Sequence, residues 1–146
     1  MSQLASMVHH LNSVKTKGKS NLLDSLSQYR KMVGSRSLLV ITSDFLLDIN
    51  EITESLYNLG DQEVKIIQVL DPIEKDLRFQ GDFKLTDSET HAKLRTYISP
   101  RMRVNYQRQL DSHCAKIEEV CNKLGYGYYL LTTDTPIFDA FYRVLA

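Results

Sequence analysis

The chain has 146 residues, 42% of them hydrophobic and 25% charged, with 18 basic and 18 acidic side chains. That length fits a single domain large enough to bury a core, and the composition excludes a disordered chain. A formal net charge of zero argues against a general nucleic-acid binder or a protein held on anionic membranes, since both need a basic excess.

No apolar run approaches the ~18 residues of a membrane span, and residues 1–10 lack the apolar centre of a signal peptide. Cys114 and Cys121 read as parts of one helix, roughly 10 Å apart along its axis, too far for a disulfide. A cytoplasmic setting is the expectation.

Leu4, Met7, Val8, Leu11 and Val14 have helical spacing, so residues 2–15 read as an amphipathic helix. After the basic loop 15–19, Ser20 is expected to cap a second helix with Leu22, Leu23, Leu26, Tyr29 and Val33 on one face, ended by Gly34. Leu38-Leu-Val-Ile41 then reads as a strand buried on both faces, the habit of a parallel sheet covered by helices. It stops at Thr42-Ser43-Asp44. Asp48 caps a helix carrying Ile49, Ile52, Leu56 and Leu59, stopped by Gly60. Val64–Leu70 is a second buried strand, ending at Asp71-Pro72. Strand, helix and strand make a βαβ unit with a right-handed crossover.

Residues 76–98 alternate in polarity with a turn near 87–90, which predicts an inserted antiparallel hairpin. Ser99-Pro100 opens a long helix with Tyr106, Leu110, Cys114, Ile117, Val120, Cys121 and Leu124 inward, closed by Gly125. Tyr128–Thr133 is a third buried strand, followed by Asp134. Pro136 starts a last helix with Ile137, Phe138, Phe141 and Leu145 inward. Strands 38–43, 64–70 and 128–133 are expected to be parallel neighbours in that order.

Asp44, Asp71 and Asp134 would then share the carboxyl rim of the sheet, where ligands of open α/β sheets bind and where a hard cation such as Mg²⁺ would find oxygen ligands. An aspartate after a strand is also an ordinary cap or turn residue, the favoured reading for Asp71 and Asp134. Gly18-Lys19-Ser20 is not a phosphate loop, because Ser13 stands where that pattern needs glycine. The histidines have no metal spacing with the cysteines, and both cysteines fall on a buried stripe. No nucleophile with an orienting base is visible, so the chain reads as non-enzymatic.

With these residues laid out, the chain resembles part of a von Willebrand factor A-type domain, and more narrowly the bacterial family called domain of unknown function fifty-eight. The resemblance covers most of residues 16–145. Its markers are Gly18-Lys-Ser-Asn-Leu22, Arg36-Ser-Leu-Leu-Val-Ile-Thr-Ser-Asp44, Val69-Leu-Asp-Pro-Ile-Glu74, Phe79-Gln-Gly-Asp82 with Thr86-Asp-Ser-Glu89, and Leu131-Thr-Thr-Asp-Thr-Pro136. It implies an α/β fold, a partial doubly wound (Rossmann-like) parallel sheet with helices on both faces. It also implies a metal-ion-dependent adhesion site, in which Ser20 and Asp44 take the threonine and aspartate positions. The D-x-S-x-S loop of that site has no counterpart, so residues 1–146 are expected to be one truncated domain, a fragment or a natural truncation.

The resemblance further implies a protein-interaction role beside a MoxR-type AAA+ ATPase, in assembly or maturation of other proteins. The rival readings are a metal-dependent hydrolase or phosphotransfer protein using the aspartate rim, and an inactive structural remnant. Strand 38–43, lacking one neighbour, is expected to drive homo-oligomerisation.

Overall fold

The computed structural model describes residues 2–14, 21–33, 35–77, 79–86 and 93–145. The elements run α1 Ser2–Ser13, α2 Leu22–Met32, β1 Leu38–Ser43, α3 Ile49–Tyr57, β2 Glu63–Leu70 and α4 Pro72–Asp76. They continue with β3 Gly81–Thr86, β4 Lys93–Ile98, α5 Pro100–Leu124, β5 Gly127–Thr132 and α6 Ile137–Leu145. β1, β2 and β5 form a parallel sheet in the order β1-β2-β5, as expected, and β3 and β4 form a separate antiparallel pair.

The register divides the sheet into two faces. Leu39, Ile41 and Ser43 lie beside Val64, Ile66 and Gln68, and the latter two beside Tyr128 and Leu130. This face carries the core. Leu26 of α2, Ile52 and Leu56 of α3, and Ile117 and Cys121 of α5 pack with Val64 and Ile66 into one buried cluster. At about 25 cal/mol per Å² of apolar surface, such burial is the main stabilising term.

The ends of these helices follow from local chemistry. Asp48 accepts from Asn50 N–H at the start of α3, and Ser99 from Met102 N–H at the start of α5, with Pro100 next. Gly125 closes α5 in the left-handed conformation, φ 71°. The Tyr126 hydroxyl donates to Gly60 O at 2.8 Å, satisfying a carbonyl just beyond α3. α2 is capped by Asn21, which accepts from Asp24 N–H, and not by Ser20. Ser20 and Gly34 lie outside the described residues, as does the turn of the hairpin.

Three expectations are corrected. β1 is not buried on both faces: its residues alternate exposed and half-buried, with Leu38 at 50% and Val40 at 44% exposure. It is the edge of the sheet, as the expected strand order requires, and the run Leu-Leu-Val-Ile showed no alternation to reveal its exposed face. β5 is the opposite edge and is mostly half-buried, with Leu131 buried.

The third correction is α6, which turns the other way. Val144 is buried and Ala140 half-buried, while Ile137, Phe138, Phe141 and Leu145 are exposed. Asp139 and Arg143 form its one polar side, and the small Ala140 one turn before Val144 allows close approach to the sheet at the margin of the apolar arc. α6 sits on the second sheet face, where Lys65 Nζ donates to Val144 O at 2.5 Å and Leu131 is buried. The β1 end of that face, Leu38 and Val40, stays exposed. The apolar residues Met7, Val8, Leu11 and Val14 along α1 are also exposed rather than packed inward.

Candidate functional site: the carboxyl rim around Asp44

The carboxyl ends of the parallel strands bring Asp44, Asp71 and the turn after Thr132 to one rim. β1 ends in a tight loop. Asp44 Oδ1 accepts from Leu46 N–H at 3.1 Å, and Ser43 Oγ accepts from Phe45 N–H at 3.1 Å. Phe45 has φ 51° and is fully buried. A bulky residue in the left-handed region costs on the order of 1–3 kcal/mol and persists only where its surroundings enforce it.

Those surroundings are polar and internal. Gln68 Nε2 donates to Asp44 O at 2.8 Å, and Tyr128 OH donates to Gln68 Oε1 at 2.6 Å. His113 Nε2 lies 2.7 Å from Phe45 O. β2 and α5 thus hold the two consecutive carbonyls of the loop, Tyr128 of β5 fixes the Gln68 amide, and the Asp44 residue is exposed. Gln68 is fully buried with both ends of its amide bonded. Burial pushes the Tyr128 phenol strongly up and keeps it protonated, with Cys114 adding to the effect. Burial likewise raises the Cys114 thiol, and hydrogen bonds with Tyr128 and Gln68 only partly offset it. The Tyr128 phenol and the Cys114 thiol are therefore neutral near neutral pH.

Asp71 and Asp134 are used differently. Asp71 accepts from Ile73 N–H while Glu74 accepts from Asp71 N–H, a capping box that starts α4. Thr133 Oγ1 also donates to Asp71 Oδ2 at 3.3 Å. Asp134 is an exposed turn residue. Both follow the ordinary cap-or-turn reading.

The implied Mg²⁺ can be tested against these donors. Asp44 spends one carboxylate oxygen on its own loop, the Ser43 hydroxyl accepts from Phe45, and Asp71 is committed to α4. Among the described residues no three His, Cys, Asp or Glu side chains converge as a metal site. Ser20, the other expected ligand, lies outside the described residues. The donors described do not fit a near-octahedral ion that needs several oxygens. Calorimetric titration with MgCl₂ is expected to find affinity weaker than about 10⁻⁴ M. Micromolar binding, unchanged in Asp44→Ala, would contradict this.

The cysteines are free thiols, with Cys121 buried in the core. Burial raises the Cys121 thiol from its ordinary 9.0 to about 11. Between those values the unfolded chain holds fewer protons than the folded one, so stability falls as pH rises through that window. The loss accumulates to roughly 2–3 kcal/mol. Urea unfolding between pH 8 and 11 should show a shallower decline in Cys121→Val than in the unsubstituted chain.

Asp44 was found from the sequence, and Gln68, Tyr128 and His113, which position it, were missed. The signal was present for Gln68, an amide midway along the otherwise apolar buried face of strand 64–70.

Together these features define an α/β protein with a three-stranded parallel sheet flanked by helices and an ordered carboxyl-end loop. The chain belongs to the family described as "Protein of unknown function DUF58", which matches residues 1–116. That match takes in α1 and stops within α5, so the Leu131–Pro136 marker lies beyond it. Uncharacterized proteins of Mycobacterium bovis and Mycobacterium tuberculosis are 29% identical over 116 residues, 80% of this chain and 37% of their own length. An uncharacterized protein of Mycobacterium avium is 28% identical over the same length of alignment and is covered to 69%. The chain thus spans little more than a third of the first two relatives. No solved structure matches it significantly.

Proposed function

We propose that this chain is a non-enzymatic protein-interaction domain of the von Willebrand factor A type. It acts in the cytoplasm with a MoxR-type AAA+ ATPase in the assembly or maturation of other proteins. The observation that carries the reading is the outward face of α6. Phe138 is 83% and Tyr142 77% exposed, with Ile137, Phe141 and Leu145 beside them. Contiguous apolar patches with aromatic anchors mark protein–protein contacts, and three aromatics on one short helix are typical of their energetic centres. The family resemblance supplies the identity of the partner.

The test mixes the purified chain with the MoxR-type ATPase encoded in the same genome. Co-sedimentation is expected, and it should be lost in the double variant Phe138→Asp/Phe141→Asp, whose substitutions lie at exposed positions. Failure of the unsubstituted chain to bind the ATPase with and without ATP would overturn the reading.

A further inference from the structure

β1 offers its outer side to solvent, and its sequence is self-complementary about one residue. Ser37 O accepts from Glu63 N–H, and Leu39 lies beside Val64, so the odd-numbered residues of β1 direct their backbone groups to β2. By alternation Leu38, Val40 and Thr42 direct theirs to the open side. Among the described residues no strand pairs there. The strand holds no Pro, Lys or other charge that would blunt an edge. β5, the other edge, has no exposed residue, whereas Leu38, Val40 and Thr42 are all exposed.

We infer that two copies of this chain pair antiparallel through β1, with the two-fold axis at Val40. Val40 then faces its own copy, Leu38 faces Thr42, and every outward backbone group is used in doubly bonded pairs. The same register places Arg36, exposed before the strand, opposite Asp44 of the other copy, exposed after it. Centring on Leu38 or Thr42 would leave one of these charges opposite Val40 and one outward residue unpaired. Opposite charges facing each other across an antiparallel pair stabilise it, and like charges oppose it. The contact is isologous and closed, giving a dimer with a continuous six-stranded sheet rather than a fibre. The exposed Leu38 and Val40 side chains of both copies meet on one face, adding apolar burial. This surface is distinct from α6, and its test involves no ATPase.

Sedimentation velocity of the 146-residue chain decides the matter. The chain is expected to be a dimer at micromolar concentration. Arg36→Asp alone and Asp44→Arg alone should each weaken dimerisation about tenfold or more. An equimolar mixture of these two variants should form a heterodimer. Each single variant sets like charges against each other in its own homodimer, and only between unlike copies does a carboxylate again face a guanidinium at both ends of the strand pair. Val40→Pro, which removes an outward N–H and leaves the bonds to β2 in place, should be a folded monomer. A monomeric unsubstituted chain would overturn the inference. So would a dimer that survives Val40→Pro, or folded single variants that fail to recombine. If Asp44→Arg does not fold, Val40→Pro and Arg36→Asp still decide.

Discussion

Phe45→Ala is expected to cost about 3–5 kcal/mol of folding stability, the range for emptying a buried aromatic site. That is a large share of the roughly 5–15 kcal/mol that holds a typical domain together. The side chain is fully buried in the cluster built by α2, α3, β2 and α5. Its backbone, at φ 51°, adds a feature that a simple cavity lacks. Glycine tolerates that conformation and alanine does not. Phe45→Gly should therefore be no less stable than Phe45→Ala, although it removes one more carbon. Urea unfolding of both variants tests this. Phe45→Gly less stable by a further 1 kcal/mol or so, the usual glycine penalty, would show that the conformation is not strained.

Gln68→Leu is expected to cost about 2–4 kcal/mol, although the substitution preserves size and adds an apolar side chain to an apolar face. The amide bonds Asp44 O and Tyr128 OH inside the protein. Leucine leaves both partners without it, and each unsatisfied buried group costs about 1–3 kcal/mol. The double variant Gln68→Leu/Tyr128→Phe removes one orphan and should recover part of the loss, a coupling that a double-mutant cycle measures. The amides of Leu46 and Leu47 should also exchange faster in Gln68→Leu, because the loop loses one anchor. Strict additivity of the two substitutions would argue that the network is not a unit.

The strand order was legible because each parallel strand ends in a polar turn and is separated from the next by a helix with clear caps. Asp48, Ser99-Pro100 and Gly125 all behave as their side chains dictate. Asp71-Pro-Ile-Glu74 carried a readable capping box, and the short α4 follows from it. The inner face of α6 was not legible: Asp139 and Arg143 mark a polar side, so Ile137, Phe138, Phe141 and Leu145 opposite them read as inward, but the helix rests on Ala140 and Val144 at the margin of that apolar arc. Nor was the exposed second face of β1, because four successive apolar residues show no alternation, although its edge position followed from the expected strand order. Asp44 was legible as a rim residue from its place after a strand. What holds it, a buried glutamine, a phenol and an imidazole from three separate elements, is tertiary and has no local pattern. The left-handed Phe45 had none either, being enforced by packing against residue preference.

Hydrogen exchange of the chain alone and with saturating MoxR-type ATPase tests the interaction reading most directly. Slower exchange is expected to concentrate in residues 137–145, with the core amides of β2 unchanged. Exchange in 137–145 that stays the same while the ATPase is bound, or protection confined to the exposed side of α5, would contradict it.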